Sequence, residues 1–133
     1  MNRNTLVVEI KRPVNEVFEF TVSPNNTPKW IKSVLVEETS SEIIGVGTIY
    51  NQLVNIGSGK QHEVAYKVVT YELNKRFELQ RIGDNYKCSY IYEAIEGGTR
   101  LTYIEEVGVG QVISDPLEMD TLNLLKKLLE IQN

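Results

Sequence analysis

Three ionisable side chains, His62, Arg81 and Glu105, fall on strand-like segments in which alternate residues point to opposite faces. In QHEVAYKV (61–68), Gln61, Glu63, Ala65 and Lys67 suit solvent, which turns His62, Val64, Tyr66 and Val68 inward. In RFELQRI (76–82), Glu78 and Gln80 go outward, leaving Phe77, Leu79 and Arg81 inside. In YKCSYIYEAI (86–95), Lys87, Ser89 and Glu93 point out, with Ile91 the exception, and Tyr86, Cys88, Tyr90 and Tyr92 point in. Leu101, Tyr103 and Glu105 share a face against Arg100, Thr102 and Glu106. The segment 47–56 stays open, because Ile49/Asn51/Leu53 and Thr48/Tyr50/Gln52/Val54 are both mixed sets.

The inner face is therefore aromatic and hydroxyl-bearing, with three ionisable groups that need a partner, water or a ligand if buried. One use for them is to orient the polar end of a bound amphipathic molecule. Another is acid–base chemistry, with His62 or Glu105 as the proton carrier and Arg81 or tyrosine hydroxyls in support. A plainer account stands beside both. Tyrosine is a favoured strand residue and packs a core well. His62 lies just past a turn, and Arg81 and Glu105 near strand ends can reach solvent or pair at the surface.

Other candidates carry less. A single histidine and a single cysteine exclude two-histidine metal motifs, cysteine zinc clusters and an intrachain disulfide. Cys88, inside a strand, suits a small buried hydrophobe better than a nucleophile. GSGK (57–60) leads into a strand and lacks the helix N-terminus that a phosphate loop needs, so it reads as a hairpin turn. Asn25-Asn26-Thr27 matches a glycosylation sequon without a secretory signal to expose it. Glu37-Glu38 and Glu105-Glu106 each place two carboxylates on opposite strand faces, which does not suit paired acid–base work.

The elements that position these groups follow from local chemistry. TLVVEIK (5–11) is a β-branched strand. Pro13 opens a short helix with Val14, Val17, Phe18 and Thr21 on one face, and Pro24 ends it. Thr27 as N-cap and Pro28 at the first helical position start a second short helix that delivers Trp30. SVLVEE (33–38) alternates as a strand, and five more strands follow, joined by short loops as in an antiparallel meander. The chain closes on an amphipathic helix with Asp115 as N-cap, Pro116 at the first position and Glu118 completing a capping box. Leu117, Thr121, Leu124, Leu125, Leu128 and Ile131 trace its apolar face. About 17 residues would span ~26 Å.

The 133 residues carry a net charge of −4 with no Lys/Arg cluster above two residues, which argues against nucleic acid and anionic membranes as partners. No apolar run suits a signal peptide or a membrane span. The expectation is a single domain over residues 1–133, cytoplasmic and without a cofactor.

The opening strand running into RPVNEVFEF, then SPNNTPKWIKSV, the glycines of GVGT, YKVVTYELNKRFEL, GGTRLTY and LLKKLLE stand in an order that resembles the polyketide cyclase/dehydrase and lipid-transport superfamily (START-like, Bet v 1-like, SRPBCC). The resemblance covers nearly the whole chain. It implies an α+β helix-grip fold: a seven-stranded antiparallel sheet wrapped around a long C-terminal helix, two short helices between strands 1 and 2, and a cavity between sheet and helix. The short strand-to-helix connection and last helix argue against a lipid-sized cavity. The candidate ligand-binding set is Trp30, Tyr50, His62, Tyr66, Phe77, Arg81, Tyr90, Tyr103, Glu105 and Leu125, with no catalytic residue assigned. The implied partner is a small apolar or amphipathic molecule, with a homodimer as a further expectation. The alternatives are a cyclase or dehydratase on a polyketide-like substrate, and a protein-interaction module of the chaperone-activator or ribosome-associated kind.

Overall fold

A computed structural model describes residues 2–131. Its elements run β1 (Arg3–Ile10), α1 (Val14–Val22), α2 (Thr27–Trp30), β2 (Val34–Thr39), β3 (Ile49–Asn55), β4 (Gln61–Glu72), β5 (Arg76–Arg81), β6 (Lys87–Ile95), β7 (Gly98–Glu106) and α3 (Met119–Glu130). The seven strands form one antiparallel sheet in the order β1-β7-β6-β5-β4-β3-β2. β2 to β7 make the meander, and β1 returns to pair with β7. The helices α1 and α2 therefore carry the chain from one edge of the sheet to the other.

The glycines of GGTRLTY now have a physical reason. A Cβ on Gly98 would sit 2.1 Å from the Ile10 carbonyl oxygen, so only glycine lets β7 start against the end of β1. The β4–β5 turn uses Asn74 at φ 63°, a conformation asparagine tolerates better than most residues.

The core gathers Phe18, Trp30, Tyr92, Leu101, Leu122, Leu125 and Leu129, each at most 5% exposed. α3 packs there against β1 and α2. Its buried stripe is Leu122, Leu125 and Leu129; Leu124 and Leu128 are half-buried, and Ile131 is exposed. The stripe is thus rotated from the one the sequence traced.

Two expectations about helix starts need correction. α3 has 12 residues, about 18 Å, and its N-cap is Glu118 without a side-chain cap bond. Asp115 sits at φ 50°, outside the geometry of an N-cap. The cause lies far off in sequence: Glu105 Oε2 accepts from the Leu117 amide at 2.8 Å, and Asn4 Nδ2 donates to the Leu117 carbonyl at 3.0 Å. Those contacts occupy the backbone that an earlier helix turn would use. Likewise Thr27 is the first residue of α2, with Asn26 before it as N-cap and no side-chain cap bond. The Thr27 hydroxyl is bound elsewhere, as described below.

Two bulges reset the alternation of side chains. In β2, Val34 faces Val54 while Val36 faces Leu53, so one extra residue stands against β3. In β4 the same happens between Val68 and Thr70.

Candidate functional site

A cavity of about 460 Å³ opens on the inner face of β2–β7. Thr21, Thr27 and Ile31 of the short-helix region close one side, and Ser114, Asp115 and Leu117 of the β7–α3 connection close another. Exposed Ser33, Asn55, Ile56, His62, Ser114 and Asp115 lie around its mouth. Deeper walls come from Tyr50, Phe77, Tyr90 and Tyr103, all at most 5% exposed. Residues of α3 itself do not line it. The cavity thus sits under the segment leading into α3, whereas the resemblance implied a cavity against the helix.

Strand pairing decides the face that the sequence left open. Tyr50, Gln52 and Val54 pair with Tyr66, Val64 and His62, so they share the inner face. Tyr50 donates its hydroxyl hydrogen to the Val22 carbonyl at 2.6 Å, tying β3 to the end of α1. Phe77, Tyr90 and Tyr103 meet in edge-on and tilted ring contacts, with centroids 5.8 Å and 5.1 Å apart. Burial pushes the Tyr66 phenol up to about 12 and raises Tyr50, Tyr86, Tyr90 and Tyr103 as well. These hydroxyls therefore keep their protons at neutral pH.

Of the ten candidates, eight line this cavity: Tyr50, His62, Tyr66, Phe77, Arg81, Tyr90, Tyr103 and Glu105. Trp30 and Leu125 do not. Trp30 is 1% exposed and meets the Tyr90 ring edge-on at 6.4 Å, one residue removed from the cavity. Its Nε1 has no hydrogen-bond partner among the described residues. Leu125 is fully buried in the packed core, because the lining stops short of α3.

The three ionisable candidates have different surroundings. His62 is exposed at the mouth. Arg81 is committed to Asp84, with Nη2 to Oδ2 at 2.7 Å and Nε to both carboxylate oxygens, and its guanidinium lies 4.5 Å from the centre of the Tyr86 ring. Glu105 is 3% exposed and accepts from Tyr86 Oη at 2.5 Å, Asn4 Nδ2 at 2.8 Å and the Leu117 amide. It fastens the β7–α3 connection over the cavity.

Sequence reasoning passed over Glu37. It is 7% exposed, lines the cavity, and accepts from Thr27 Oγ1 at 2.5 Å and from Gln52 Nε2 at 2.5 Å. Burial raises its proton affinity above that of an ordinary carboxyl, although those two hydrogen bonds pull the other way. The bulge after Val34 explains both the position and the miss: it swings Glu37 onto the inner face and leaves Val36 exposed. Glu37-Glu38 and Glu105-Glu106 do split across the sheet, but the inner member of each pair lines the same cavity. The mixed pattern of 47–56 gives Gln52 no face in the sequence, and Tyr86, inward by alternation, joins the candidate set here.

Among the described residues, no group of three or more His, Cys, Asp or Glu is gathered as a metal set. No helix among them is long and apolar enough to cross a membrane.

Known structures share this architecture. Protein CV1439 from Chromobacterium violaceum superposes with a TM-score of 0.77 at 16% identity, over 99% of this chain and 100% of that one. The Aha1 dimer from Colwellia psychrerythraea gives 0.70 at 19% identity, over 98% of both chains. The di-domain ARO/CYC StfQ from the steffimycin biosynthetic pathway gives 0.73 at 10% identity, over 96% of this chain and 50% of that one. At these identities the likeness is one of fold. No curated protein matches the chain in sequence. The family model described as polyketide cyclase/dehydrase and lipid transport matches residues 1–130, and with the helix-grip sheet and its inner cavity in view, the chain belongs to that family.

Proposed function

We propose that the protein binds a small amphipathic molecule in the cavity on the inner face of β2–β7. The observation that carries this reading is the cavity itself: about 460 Å³, walled by aromatic rings and entered past polar residues. That volume lies within the range of small-molecule sites, and a few polar groups among apolar walls are what such sites need to fix orientation. The ligand-contacting set in this reading is Tyr50, His62, Tyr66, Phe77, Arg81, Tyr90, Tyr103 and Glu105, with Glu37, Gln52 and Tyr86 added. Thermal-shift screening against flavonoids, quinones, fatty acids and polyketides tests it, since a ligand that binds only the folded state raises the melting temperature. Native mass spectrometry would catch a ligand that co-purifies. A silent screen with an empty mass spectrum overturns the reading and turns attention to the outer surfaces as a protein-interaction module.

A second reading, a cyclase or dehydratase in the same cavity, is favoured by one observation. Glu37 has raised proton affinity and no strand-end exposure, which suits an acid–base group better than His62 at the mouth or Glu105 with its three donors. It requires turnover that collapses in Glu37→Gln. A homodimer accords with the dimeric Aha1 neighbour, and light scattering on the purified chain decides it.

A further inference from the structure

Charge on the cavity wall points to the class of ligand, on the reading that the cavity is a ligand site. Two buried carboxylates, Glu37 and Glu105, face it. All of their hydrogen-bond donors are neutral: Thr27 and Gln52 for the first, Tyr86, Asn4 and the Leu117 amide for the second. Among the described residues neither carboxylate has an ion-pair partner. Arg81, among the described residues the one arginine or lysine in the wall, already meets Asp84 at 2.7 Å. His62 stays at the exposed mouth, where Asp115 adds a further acid.

A carboxylate has about four lone-pair sites. Glu37 uses two of them, and Glu105 uses three, so acceptor capacity remains on both and is larger at Glu37. A buried, hydrogen-bonded carboxylate without a cation is the arrangement most improved by an incoming positive charge. Tyr66, Tyr90 and Tyr103 also line the cavity, and a tyrosine ring attracts a cation that lies over its face. An incoming carboxylate would meet two like charges and no free cation.

We propose that the cavity takes a cationic amphipathic molecule, a small aromatic body carrying a protonated amine that pairs with Glu37, and that it rejects carboxylate-bearing ligands such as fatty acids. Glu37 is then the residue that sets charge specificity, while Glu105 holds the wall in place.

Isothermal titration of the full chain at neutral pH with naphthylethylamine, naphthylethanol and naphthylacetic acid tests this, since the three probes differ mainly in the charge at one end. The amine should bind about tenfold more tightly than the alcohol, and the acid more weakly than either. In Glu37→Gln the amine should lose its advantage, so that amine and alcohol affinities converge to within about twofold. Acid binding as tight as amine in the wild-type protein overturns the charge assignment and leaves the cavity reading intact. An amine preference that survives in Glu37→Gln overturns the role of Glu37. No binding by any of the three overturns the proposal, while the cavity reading falls only if the broader ligand screen and the native mass spectrum are also silent. The wild-type series decides the charge preference even if the variant fails to fold.

Discussion

Glu37 and Glu78 are both buried glutamates on strands of the same sheet, at 7% and 6% exposure, and each accepts hydrogen bonds from two neutral side chains. They differ in what else surrounds them. Glu78, on the outer face, has Arg76 at 3.2 Å and Lys87 at 3.5 Å beside its bonds from Thr70 and Ser89. Burial works against its charge, but Thr70, Ser89, Lys87 and Arg76 together outweigh that and hold the carboxyl at about 2. Glu37, on the inner face, lacks such cations, and burial wins. The outer glutamate has two cations beside it; the inner one has neutral hydrogen-bond donors alone. That asymmetry separates the two faces of the sheet, and the proposed ligand site lies on the inner one.

The largest expected effect concerns where the hollow region ends. Leu125→Ala should cost about 3 kcal/mol in denaturant unfolding, because it empties a packed site. Its binding of cavity probes should change little. A cost below ~1 kcal/mol would mean that the hollow region already reaches α3, and would redraw the boundary.

Next comes the outer glutamate. Glu78→Gln should lower stability at neutral pH by about 2 kcal/mol, since it removes charged hydrogen bonds and leaves Arg76 and Lys87 without their anion. The sign with pH follows from the lowered carboxyl. Its stabilisation is present above the unfolded value near 4.5 and is lost as pH falls toward about 2. Acid unfolding of the variant should therefore be flatter than that of the parent across this window. Equal slopes would show that Glu78 is not held low.

The smallest stability effect, with opposite sign, belongs to the inner glutamate. Glu37→Gln should leave the protein as stable as the parent at pH 8, or more stable by up to about 1 kcal/mol. Gln52 can turn its amide to accept from the new carboxamide. A raised carboxyl imposes its penalty above its folded pKa and is relieved as pH falls, so the variant's advantage should vanish below about pH 4.5. A loss comparable to that of Glu78→Gln would erase the contrast between the two faces.

Much of this molecule is legible along the chain. Alternation in β4 to β7 places Tyr66, Phe77, Tyr90, Tyr103 and Glu105 on the inner face, since those segments keep strict two-residue periodicity where it matters. Prolines and asparagines in SPNNTPKW mark the breaks around α2. What escaped depends on contacts remote in sequence. The β2 bulge adds one residue and so reverses the facing of everything after Val34, which hid Glu37. The start of α3 is set by Glu105 and Asn4, the latter 113 residues from Leu117. Trp30 and Leu125 have the right character for a ligand site, but the core reached them first. Glu78 and Ser89 point outward as expected, yet they are buried by each other and by Arg76 and Lys87.

The most direct test of the contrast follows the side-chain carboxyl carbons of Glu37 and Glu78 by NMR through one acid titration, with and without saturating naphthylethylamine. The account predicts that Glu78 titrates near 2 in both, while Glu37 titrates above ordinary glutamates alone and shifts down with the amine. A Glu37 that titrates with the exposed glutamates and ignores the amine would contradict it.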